Sequence, residues 1–162
     1  MYPSSGSALT IALPPQGFAD SRELDARRFS IVALMRSADL DGDALNHLKR
    51  IVFADGAISR DEADALFQLE AAATHKVAGW DDFFIAAITE HVVWDLRPTG
   101  VVNESQGEWL IQAADRVKTP ASFAILVNVM DVAHRVPMWF GAAVKARAAR
   151  GWPGAEAARA MA

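Results

Sequence analysis

Two coil-to-helix junctions, 44 residues apart, constrain the fold of this chain more than any other feature. The first reads Gly56-Ala57-Ile58-Ser59-Arg60-Asp61-Glu62, the second Gly100-Val101-Val102-Asn103-Glu104-Ser105-Gln106. In each, a glycine and two apolar residues lead to a side chain able to cap a helix, with Glu or Gln three residues on. In such a capping box the first side chain accepts from a free backbone N–H of the opening turn while the second reaches back. Both junctions run into an apolar pair at the same offset, Leu66-Phe67 and Leu110-Ile111. The spacing predicts two related helix–turn–helix units.

Apolar periodicity and helix punctuation extend this to an all-α fold of about seven helices. The first is expected from about Asp20 to Arg36, carrying Phe29, Val32, Ala33 and Met35 inward. A second spans about 43–54 with Leu45, Leu48, Val52 and Phe53 at helical spacing, and Gly56 is its left-handed stop. A third starts at Ser59. The fourth, about Trp80 to Leu96, is apolar on most sides, as a helix surrounded by others must be, and Pro98 ends it. The fifth runs from about Glu104 to Val117. Thr119-Pro120 opens a sixth, apolar nearly all round and running to His134. Pro137 opens a seventh, basic helix that Gly151 or Pro153 closes. The expectation is thus two central buried helices wrapped by the others, with no strand pattern. Residues 1–19, rich in proline, read as an extended arm, 20–152 as one domain and 153–162 as a tail.

Composition narrows the chemistry. A hydrophobic fraction of 52% and a charged fraction of 22% are those of a globular domain rather than a disordered chain. With no cysteine, disulfides, thiolate metal sites and cysteine nucleophiles are excluded. The first residues lack the features of a signal peptide, and the apolar stretch 121–130 is about half the ~20 residues that span a bilayer. A cytoplasmic chain without membrane insertion is expected. Charge is uneven: residues 1–133 hold 11 basic and 19 acidic side chains, whereas 134–162 hold five basic against Glu156. The acidic bulk argues against nucleic acid. The basic end reads either as a solvated helix complementing its own dipole or as a docking surface for an acidic partner.

Catalytic motifs are missing: there is no Gly-x-Ser-x-Gly elbow and no glycine-rich phosphate loop, so no enzyme is expected. Calcium loops fail in two registers. With Gly56 at loop position 6, Ile51 and Phe53 stand where oxygen ligands belong; a loop starting at Asp39 has Ala44 at the turn and Arg50 at position 12. His91 with Asp95, and Asp131 with His134, are acid–histidine pairs one helical turn apart, and the former is expected as a core or groove histidine bonded to Asp95. No Glu-x-x-His motif supports a di-iron bundle.

The segment Phe53-Ala54-Asp55-Gly56-Ala57-Ile58-Ser59-Arg60-Asp61-Glu62 resembles the A-D-G-x-I-S-x-x-E hallmark of the TerB-like superfamily. The likeness is strongest over residues 43–70 and extends loosely to about 151; His91 to Glu104 is similar to bacterial members of that group. The resemblance implies a small, cytoplasmic, all-helical interaction or stress-response module. It also implies an acidic surface for a divalent cation at Asp55, Asp61 and Glu62, although Thr99 and Gln106 replace Asp55 and Glu62 in the second junction. The expected function is a non-enzymatic module that docks a protein partner through Met138, Trp139, Phe140, Lys145, Arg147 and Arg150. Aromatic and arginine side chains together favour such hot spots, while core packing is the better reading of Met138-Trp139-Phe140 taken alone. The alternative is a divalent-metal domain built on the acidic patch.

Overall fold

The computed structural model describes residues 39–52 and 57–153. Over these the protein is all-α, with six α-helices: α1 (Gly42–Val52), α2 (Arg60–Ala72), α3 (Trp80–Glu90), α4 (Glu104–Val117), α5 (Pro120–Val132) and α6 (Met138–Ala149). The helix expected from Asp20 to Arg36, the 1–19 arm and the stop at Gly56 lie outside the described residues, as does most of the C-terminal tail.

The capping signals set the helix starts. Ser59 Oγ accepts from the Glu62 N–H, and Glu62 Oε1 accepts from the Ser59 hydroxyl. Asn103 and Gln106 form a reciprocal box, Asn103 Oδ1 accepting from the Gln106 N–H and Gln106 Oε1 from the Asn103 N–H. Thr119 and Ser122 repeat the arrangement, with Pro120 in the first turn where its missing N–H costs nothing. Each reciprocal box satisfies donors that a helix start leaves bare.

The two greasy helices are the centre. α3 buries Trp80, Phe83, Phe84, Ala87 and Ile88, and α5 buries Phe123, Ile125, Leu126 and Val129; these two make the most extensive helix contact among the described residues. α2 and α4 pack on each other beside them, and α6 leans on α5 through Phe140 and Val144. α3 does not continue to Leu96 as a single α-helix. After Glu90 it widens into a π-helical turn, His91–Asp95, and Leu96 is already extended.

Short extended pairings, unforeseen in the sequence, clip the helices together. β1 (Asp39–Leu40) runs parallel to β2 (His75–Lys76), and a single parallel bridge joins Val101 to Arg135. Two residues are too few to show the alternation that marks a strand. Around these clips the order of elements recurs: β1, α1, α2, β2, α3, then Val101, α4, α5, Arg135, α6. The returning segments share wording 59 residues apart, His75-Lys76-Val77 before Trp80 and His134-Arg135-Val136 before Trp139.

At the second clip Gly100 has φ +79°, and its carbonyl accepts from the His134 and Arg135 N–H groups. A Cβ there would collide with Cδ2 of His134, so the position demands glycine both for its conformation and for the close approach.

Candidate functional site

Tryptophan indoles organise the polar interior. Trp80 Nε1 donates to Glu70 Oε2 at 2.6 Å, and Lys76 Nζ donates to the other oxygen at 2.7 Å. The Glu70 side chain is 0% exposed, so a buried carboxylate is held by two donors, one charged, as burial of a charge requires. Trp109 Nε1 donates to Asp64, Trp139 Nε1 to Glu104, and Trp152 Nε1 to the Thr119 carbonyl. Sequence reading missed Glu70. Its one readable signal was an acid on the otherwise apolar side of α2, next to Leu69.

A second cluster surrounds Trp109. The Arg60 guanidinium sits 4.2 Å from the centre of its ring, while Phe67 and His91 meet it edge-on at 5.8 and 5.9 Å. His91 is bonded to the Ile58 carbonyl, Nδ1 to O at 3.0 Å, and not to Asp95 as expected. From the end of α3 the ring reaches the start of α2. Because a carbonyl can only accept, Nδ1 carries the proton, leaving Nε2 as a bare lone pair that is buried without a hydrogen-bond partner among the described residues. Burial, chiefly, and the Arg60 charge push the His91 pKa below its ordinary value; the Ile58 bond and Asp64 pull the other way.

The expected metal set does not converge among the described residues. Asp61 is exposed whereas Glu62 is buried against Ser59, because consecutive helical residues point some 100° apart; Asp55 lies outside the described residues. No group of three His, Asp or Glu side chains there could hold an ion. His134 packs edge-on against Trp94 at 5.7 Å, and both Asp131 and His134 are exposed.

The partner residues expected on the basic helix divide between its faces. Phe140 is 0% exposed and offers no surface to a partner, a correction that follows from its place one turn before Val144 on the inner side of α6. Trp139 is half-buried against Gly107 and Pro137. Met138, 100% exposed, shares the outer face with Lys145, two turns on. Arg147 points the other way, its Nε and Nη2 donating to the two Asp115 oxygens at 2.7 and 2.6 Å, which raises its pKa further.

Arg147 and Arg150 join Lys118 and Trp152 around a cleft of about 220 Å³ with Asp115 on its wall. Lys118 and Trp152 were not anticipated as site residues. Lys118 is the C-cap of α4, in a left-handed conformation (φ +55°), and its Nζ lies 5.9 Å from the centre of the Trp152 ring. The ends of α4 and α6 meet there, and such ends attract cations. Between α2 and α4 runs a second groove of about 340 Å³, floored by Phe67, Ala113 and Val117 and flanked by Asp64 and Arg116. No helix among the described residues is long and apolar enough to cross a membrane. The chain matches no family model, no curated protein and no solved structure.

Proposed function

We propose that this chain is a non-enzymatic helical interaction module, TerB-like in kind, that docks an acidic segment of a protein partner. The observation that carries the reading is the cleft of Lys118, Arg147 and Arg150 beside Trp152 on a chain whose first 133 residues are strongly acidic. Three cations face one carboxylate and two helix C-termini, each equivalent to roughly half a negative charge, so positive charge is left over. Arg147 is already clamped by Asp115, and Lys118 and Arg150 are the cations that meet the partner. Charge complementarity of this sort sets specificity and association rate more than raw affinity. The role in stress response and the cytoplasmic location rest on the TerB-like hallmark at residues 53–62.

Titrating a glutamate-rich peptide against the protein, followed by tryptophan fluorescence, tests this reading. Binding is expected to weaken at least tenfold in the double variant Lys118→Glu/Arg150→Glu and to persist in Lys145→Glu on the opposite face. Equal loss in both variants, or no binding at low salt, would remove the cleft as the docking site.

A further inference from the structure

A buried imidazole with a bare lone pair, at the meeting point of three segments, has a use of its own. His91 is 2% exposed and connects the π-helical turn to the Ile58 carbonyl 33 residues earlier in the chain. Ile58 immediately precedes the cap of α2, so this bond holds the first turn of that helix in place. The same ring makes a T-shaped contact with Trp109, which is tied to α2 by its bond to Asp64 and its contact with Phe67. Asp64 and Phe67 also border the α2–α4 groove. One ring therefore joins the start of α2, the end of α3 and the middle of α4.

We propose that His91 is an acid-sensitive latch: a proton taken up at Nε2 releases the Ile58–His91–Trp109 joint and opens the groove between α2 and α4. The added N–H would be buried with no acceptor among the described residues, a cost that outweighs the stronger bond a charged ring would donate to Ile58. Among the described residues the charged groups facing the ring are both on α2: Arg60, which repels a second cation, and Asp64, whose attraction is shared with the Trp109 N–H. α4 presents the uncharged Trp109 indole, and the 57–58 segment presents a carbonyl.

Linkage fixes the direction of the effect. The folded ring resists a proton that the unfolded chain accepts near pH ~6.5, so the joint is fully stable above that pH and weakens below it. Each pH unit below the unfolded value lowers the closed-to-open ratio by up to about tenfold, until the folded ring itself protonates. The opening is local, since α3 and α5 keep their shared core.

Nitrogen NMR of the labelled imidazole, with amide exchange in α2 between pH ~7 and ~5, tests the latch. Nε2 is expected to keep its lone pair below the pH at which an exposed imidazole protonates, while α2 amides exchange at least tenfold faster at the acid end than the intrinsic rate change allows. In His91→Gln that acid response is expected to vanish. An acid response of equal size in wild type and variant would overturn the proposal. So would a wild-type ring titrating near pH ~6.5 with unchanged α2 protection, and that measurement decides the matter even where the variant does not fold.

Discussion

The two segments that begin with a histidine and a basic residue and lead to a tryptophan are used in opposite ways. In the first, His75-Lys76-Val77 delivers Trp80 into the centre, where its ring stacks on Phe84 at 5.7 Å and its N–H meets the buried Glu70. In the second, His134-Arg135-Val136 delivers Trp139 to the rim, half-buried, with its N–H on the exposed Glu104. The helices that these tryptophans open differ accordingly. α3 is wrapped by neighbours; α6 turns two of its residues fully inward and leaves Met138 and Lys145 to solvent. A nearly identical lead-in thus yields a core helix or a surface helix according to the apolar residues after it. Phe83, Phe84, Ala87 and Ile88 make the first; Gly141, Ala142 and Ala146 make the second.

Removing the rings tests that contrast most severely. Trp80→Ala is expected to cost ~3–5 kcal/mol and Trp139→Ala less than half as much, read from urea denaturation. Equal losses would break the comparison. The carboxylates come next. Glu70→Gln removes the buried charge opposite the Lys76 ammonium, which keeps solvent and the looser Asp81 pairing at 3.8 Å, and is expected to cost ~2 kcal/mol. Glu104→Gln, at the surface, is expected to stay within ~0.5 kcal/mol. A third measurement sharpens the comparison at the clip itself. Gly100→Ala adds a methyl group against His134 at an unfavourable backbone angle, with an expected loss of ~1–2 kcal/mol. A melting temperature unchanged by this substitution would show that the second clip contributes little.

Local chemistry was the legible part of the sequence. Ser59, Asn103 and Thr119 announced their helices because a cap acts within a few residues of itself. The centrality of α3 and α5 was readable because a helix apolar on every side has one place to go. Features that depend on partners far along the chain were hidden. Nothing near His91 signals that it bonds to Ile58 instead of Asp95, since Ile58 lies 33 residues away and the α-helical spacing expected to pair His91 with Asp95 gives way to a π-helical turn. Arg147 and Lys145, two residues apart, read as one basic patch, yet helical geometry sends them to opposite sides. The cleft formed by Lys118 and Trp152 requires the ends of two helices to meet, and no single stretch encodes that.

The second clip has a consequence for how such a protein can vary. Its bonds run from the His134 and Arg135 amides to the Gly100 carbonyl and from the Val102 amide to the Arg135 carbonyl, so main-chain atoms make all of them. Val101 and Arg135 can therefore drift through many substitutions while the fastening endures. Descendants of one ancestor could keep this architecture long after their residues ceased to look alike, with the glycine among the last traces to fade.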